Sequence, residues 1–167
     1  KYKLNEFNAD TSDFRLTSDN AAALAFATKN VNAHIDFTKR VGEFKSNGGG
    51  SYVRFPLNQY ICFIDQYTWF MDKQEIEMTA SANINRNLKD SLNPKLDLQP
   101  SEFLSVEPTQ DSLRFIAPYA RYSLHDFLIK AEKVAVINTA DATIIPDSGK
   151  VVVEQYAKMR TLNNALV

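Results

Sequence analysis

Apolar residues recur at every second position through much of this chain. The clearest run is Val31-Asn32-Ala33-His34-Ile35-Asp36-Phe37, in which Val31, Ala33, Ile35 and Phe37 share one side and Asn32, His34 and Asp36 the other. Side chains of an extended strand alternate between its faces, so this pattern predicts a strand with one buried and one wet face. Residues 41–45 are read as its continuation or its neighbour. Ser46-Asn47-Gly48-Gly49-Gly50 is read as a hairpin reversal, because glycine reaches positive φ without a Cβ clash.

Further strands are predicted at 52–55 and 67–71, and Tyr60-Ile61-Cys62-Phe63-Ile64 reads as a central strand buried on both faces. Asp72-Lys73 supplies a turn. Over 74–92 two periods compete. Ile76, Ala80, Ile84 and Leu88 fall four apart, as on a helix, while Ile76, Met78 and Ala80 alternate; a strand is favoured first, with a short helix near 86–92. Pro94, Pro100 and Pro108 mark a connection over 93–108 with an edge-like piece at 103–106. Strands follow at 112–116, 119–124, 127–131, 134–137, 142–145 and 151–155, roughly eight residues apart. In the last pair, Ile144-Ile145 and Val151-Val152-Val153 flank Pro146-Asp147-Ser148-Gly149, a strand–turn–strand signature. The stretch 18–29 reads as loop plus strand, with a helix starting at Ser18 or Asp19 as the competitor. A faint repeat aligns Leu24-Ala25-Phe26 with Leu113-Arg114-Phe115, and Asp36-Phe37 with Asp126-Phe127 in a register one residue different.

The expected fold is therefore all-β: an antiparallel sandwich, or a stacked jellyroll or solenoid, of many short strands with at most one or two short helices. Residues 1–92 form a first β-unit, 93–108 the connection and 109–167 a second unit packed with the first as one domain. The 167 residues, 44% hydrophobic and 23% charged, are ordinary for a globular domain. A net charge of −1 offers no general attraction to nucleic acid, and no apolar run reaches the ~20 residues of a spanning helix. The start at Lys1 and the strand-like last residues point to a piece of a longer protein.

Catalytic motifs are not in view: the sequence has no nucleophile elbow, phosphate loop or zinc-protease helix signature. Cys62, the one cysteine, sits between Ile61 and Phe63 and reads as a small buried hydrophobe. His34 with Asp36 and His125 with Asp126 carry metal-ligand chemistry, but on the polar phase of strands they read as solvated residues. Asp10, Asp13 and Asp19 read as turn formers rather than calcium ligands, and Glu75 and Glu77 as one solvated strand face rather than a glycosidase pair. No cofactor is expected. Tyr60, Tyr67, Trp69 and Phe70 form the densest aromatic cluster. They are the candidate ligand-binding residues, with core packing as the competing role.

The phrase from Thr139-Ala140-Asp141 through Ile144-Ile145-Pro146-Asp147-Ser148-Gly149-Lys150 to Val153 resembles one rung of the OstA/LptA family of periplasmic lipopolysaccharide-transport proteins, and residues 31–64 follow the same plan more loosely. The chain also resembles large bacterial cell-envelope proteins built from β-repeats. The resemblance implies a stacked β-jellyroll, an extracytoplasmic location in periplasm or at the cell surface, and an apolar groove for acyl chains, here lined by Ile61, Phe63, Trp69 and Val152. Three functions follow as expectations: a non-enzymatic β-module acting as scaffold or interaction unit in a larger envelope or surface protein, an LptA-like lipid-binding segment, or a glycan-binding module. Its partners would be adjacent domains of the same chain or another protein, or a lipid or glycan.

Overall fold

A computed structural model describes residues 2–3, 5–18, 22–48, 51–81 and 101–167. Strands β1 (Tyr2–Lys3) and β2 (Glu6–Ser18) lead into β3 (Ala23–Asp36). Then come β4 (Val41–Ser46), β5 (Val53–Phe55), β6 (Tyr60–Cys62), β7 (Gln66–Phe70), β8 (Glu75–Thr79) and β9 (Glu102–Ser105). The series ends with β10 (Arg114–Ile116), β11 (Tyr119–Ser123), β12 (Leu128–Glu132), β13 (Ile137–Thr139), β14 (Ala142–Ile144) and β15 (Val151–Val153). The fold is an all-β, antiparallel sandwich. Its only described helical turns are the 3-10 turns Pro56–Asn58 and Pro108–Gln110.

One long strand organises the two layers. β3 pairs through Val31–Asp36 with β4, and through Ala27 with β5 on the same edge. Between them Asn30 takes a left-handed conformation (φ 53°), which bends the strand from one layer into the other. Layer I runs β3-β4-β7-β8-β11-β12-β15 and layer II runs β3-β5-β6-β9-β10-β13-β14. Successive hairpins thus alternate between layers: β3–β4, β7–β8 and β11–β12 in layer I, β5–β6, β9–β10 and β13–β14 in layer II.

The inward side chains fill the space between layers with rings. Phe26 meets Phe55, Tyr67 and Tyr122 at centroid distances of 5.7, 5.6 and 6.5 Å, and Phe55 reaches across to Tyr122 at 5.0 Å. Phe103 stacks on Phe115 at 5.2 Å. Each buried ring contributes roughly 2–3 kcal/mol through lost water contact, and each pair about 1 kcal/mol more from ring geometry. A second clamp is polar. Asn58, buried in layer II, donates from Nδ2 to the carbonyls of Phe127 (2.6 Å) and Val153 (3.3 Å) in layer I. Backbone bonds from Tyr156 to Leu57 and from Ala157 to Asn58 close the same seam.

Several expectations are corrected. The Gly48 segment and the Pro146–Gly149 segment do not close hairpins. β4 pairs with β3 and β5 with β6, while β14 pairs with β13 and β15 with β12, so both turns carry the chain from one layer to the other. The piece at 103–106 is no edge: β9 lies between β6 and β10 and is buried along its length. Phe37 is not on the buried face; it opens a turn and is 52% exposed. Asp10 and Asp13 stand on the long strand β2 rather than in turns. Strand pairing with β7 and β11 settles 75–79 as β8, while the short helix read near 86–92 lies outside the described residues. So do Asp19, Gly49, Gly50, Pro94 and Pro100.

Candidate functional site

The three hairpin turns of layer I share one construction. Phe37-Thr38-Lys39-Arg40, Met71-Asp72-Lys73-Gln74 and Leu124-His125-Asp126-Phe127 each end in a non-glycine residue with positive φ (56°, 49° and 55°). Each also hangs from the element before it: Phe37 N–H donates to Asn5 O (2.9 Å), Met71 to Arg40 O (3.1 Å) and Leu124 to Gln74 O (2.8 Å). Side chains hold the turns in shape. Asp36 Oδ1 accepts from the amides of Thr38 (3.0 Å) and Lys39 (2.9 Å), and Ser123 Oγ accepts from Asp126 N–H (3.1 Å). Arg40 pairs with Asp72, and His125 Nδ1 lies 2.8 Å from Asp126 Oδ1. The backbone donor of Lys39 holds the Asp36 carboxyl below its usual range, and His125 does the same for Asp126.

These turns and the end of β2 enclose a cleft of about 300 Å³, lined by Leu16, Arg40, Trp69, Met71, Leu124 and His125 among others. Trp69 forms its apolar floor, held from behind by Phe14 at 5.6 Å. A half-buried indole beside methionine and leucine, with a guanidinium and an imidazole at the rim, suits a ring-shaped or apolar group with polar substituents.

The four aromatic residues singled out from the sequence separate in space. Tyr60 and Tyr67 are 1% and 3% exposed and pack in the interior. Their hydroxyls face Ser105 and Thr28 without full hydrogen-bond geometry, and burial pushes both phenols upward. Trp69 reaches the cleft. Phe70 stands on the opposite face of β7 with Lys73 Nζ 4.9 Å from its ring centre. The proposed lipid-groove residues also diverge: Ile61 and Phe63 lie outside the interior cluster, Trp69 lies at the turn end, and Val152 pairs with Lys130 on the outer face of layer I.

His34 and His125 are not brought together. His34 sits in a polar row that crosses layer I through Glu43, Thr68, Glu77, Arg121 and Lys130. β3 and β11 are four strands apart, roughly 19 Å at the usual spacing. Among the described residues no group of three His, Cys, Asp or Glu side chains is placed to hold a metal ion. Cys62 is fully buried, and desolvation, then the charge of Glu102, pushes its thiol up. A buried protonated thiol is a poor nucleophile. Glu77 stands 3.6 Å from Arg121 on the wet face of layer I.

Sequence reasoning missed the turn repeat because it looked for matching residue types. The alignment Asp36-Phe37 with Asp126-Phe127 is out of step; structurally Phe37 corresponds to Leu124 and Asp36 to Ser123. The shared signal is an apolar residue followed by two polar ones at a fixed distance after a strand. Comparison with protein-family models, curated proteins and solved structures finds nothing that matches this chain. Its class accordingly rests on its own architecture: a two-layer antiparallel β-sandwich built from alternating hairpins.

Proposed function

We propose that the chain is a non-enzymatic β-module of a larger envelope or surface protein, and that it works as a scaffold onto which a further β-unit stacks. The observation that carries this reading is the path of the last described segment. Met159 bridges to Val153 in layer I, Arg160 N–H donates to Val152 O (2.9 Å), and Leu166 bridges to Ile145 in layer II. The segment crosses from one layer to the other, as β3 does at the opposite end. Beside it Ile145, Tyr156 and Leu166 are 47%, 76% and 67% exposed. Apolar residues along a segment that already spans both layers suit one occupant, the first straddling strand of another β-unit.

The aromatic filling between the layers favours this reading over acyl-chain transport, since rings occupy the space an interior groove would need. The cleft at Trp69 keeps glycan binding as a second reading. In the stacking account, replacing Ile145 and Leu166 together by Asp leaves the melting temperature of the 167-residue chain nearly unchanged, because both side chains are exposed. In the full-length gene product the same pair of substitutions opens residues 158–167 to limited proteolysis. An unchanged digestion pattern there contradicts the stacking role.

A further inference from the structure

We propose that a groove on the outer face of layer II is a binding site for a tetrahedral oxyanion, a phosphate or sulfate group carried free or as an ester. Ala27 of β3 is flanked in register by Arg15 of β2 and Arg54 of β5. The two arginine backbones stand about 10 Å apart, two strand spacings, so both guanidinium groups reach the space above the small Ala27 side chain. Lys29, two residues further along β3, shares the side of Ala27, because alternate strand residues do, and Tyr52, just ahead of β5, lines the same groove. Together with Leu24 they line a cavity of about 300 Å³.

The charge pattern singles this place out. Among the described arginines, Arg40, Arg114, Arg121 and Arg160 each face a carboxylate, from Asp72, Glu102, Glu77 and Glu154. The two that do not are Arg15 and Arg54, the pair across Ala27. Lys29 beside them has no carboxylate partner either, as is the case for most described lysines, and adds its charge to the same cavity. The nearby Asp13 is turned to the backbone amide of Asn30, at 3.4 Å. In a chain with 20 acidic and 19 basic side chains, three cations left facing one another around a cavity repel until an anion enters. Two forked guanidinium groups and an ammonium match the several acceptor oxygens of phosphate or sulfate, and Tyr52 offers a flat wall for a sugar ring that bears it.

The site is tested by titrating the 15N-labelled chain with sodium sulfate, glucose 6-phosphate, a heparin hexasaccharide and, as the uncharged control, glucose. The account expects saturable shifts at the amides of Arg15, Lys29, Tyr52 and Arg54 with the three anions and none with glucose. It also expects Arg54→Gln to weaken binding by about tenfold or more, with Arg121→Gln on the opposite layer as the unaffected reference. Tighter binding of either ester than of sulfate assigns the ligand to a saccharide; equal binding assigns it to the free ion. Shifts spread equally over Arg121 and Lys130, or an Arg54→Gln variant that binds as well as the parent, would overturn the assignment. Because Arg54 is exposed, an unchanged melting temperature for Arg54→Gln separates lost binding from lost folding.

Discussion

Tyr122 carries the sharpest expectation for a single residue. Its hydroxyl is buried between the layers with no hydrogen-bond partner among the described residues, and desolvation pushes the phenol upward. An unpaired buried hydroxyl costs about 1–3 kcal/mol, so Tyr122→Phe is expected to raise stability to urea by about 1 kcal/mol. A loss of that size contradicts the packing described. At the turns the relevant group is Asp36, whose carboxyl is lowered by the Lys39 amide. A lowered folded value means stabilisation that is present above the usual carboxylate range and is lost as pH falls through the folded value. The parent chain should therefore lose more melting temperature than Asp36→Asn between about pH 5 and about pH 2, with the two converging at the acid end. Parallel acid profiles count against the turn's dependence on that carboxylate. At this scale the sequence was readable where burial alone decides. Cys62, Ile76 and Met78 could be placed inside from their neighbours. Phe37 could not, because only the backbone turn removes it from the alternating face.

Among the elements, the hairpins and the crossings look alike in sequence but do different work. Glycine and proline at 46–50 and 146–149 signal a reversal, but β4 and β5 both run antiparallel to β3, so the chain passes from layer I to layer II without reversing along it. Whether the next strand pairs with its predecessor or enters the other layer depends on which edges are already taken, a property of the whole sheet. The hairpins of layer I turn instead on Arg40, Gln74 and Phe127, residues with no reputation for positive φ, so their turns were the harder ones to see. At the seam between layers one side chain bonds both ways across. Asn58→Leu keeps the volume but leaves the carbonyls of Phe127 and Val153 without their side-chain donor, and the expected cost is about 2 kcal/mol in urea unfolding. A neutral effect there means the seam is held by ring packing and the backbone bonds of Tyr156 and Ala157, without need of the Asn58 side chain. β2 passed unnoticed as a strand because the register shift against β3 between Ala9 and Ser12 breaks its alternation.

For the molecule as a whole, the polar outer face of layer I and the exposed apolar residues beside the last segment point in one direction. The first needs only water, and the second suits a neighbour. The all-β class was legible because period two recurs through much of the chain. The candidate sites were not, since the Trp69 cleft and the Ala27 groove each draw residues from several strands that pairing alone brings together. Ile145 and Leu166 are likewise distant in sequence and adjacent in the sheet. Backbone hydrogen exchange compares the 167-residue chain with the full-length gene product most directly. The stacking account predicts that amides at 158–167 exchange at least about tenfold more slowly in the full-length protein, as strands paired on both edges do. Equal exchange rates in the two would contradict it.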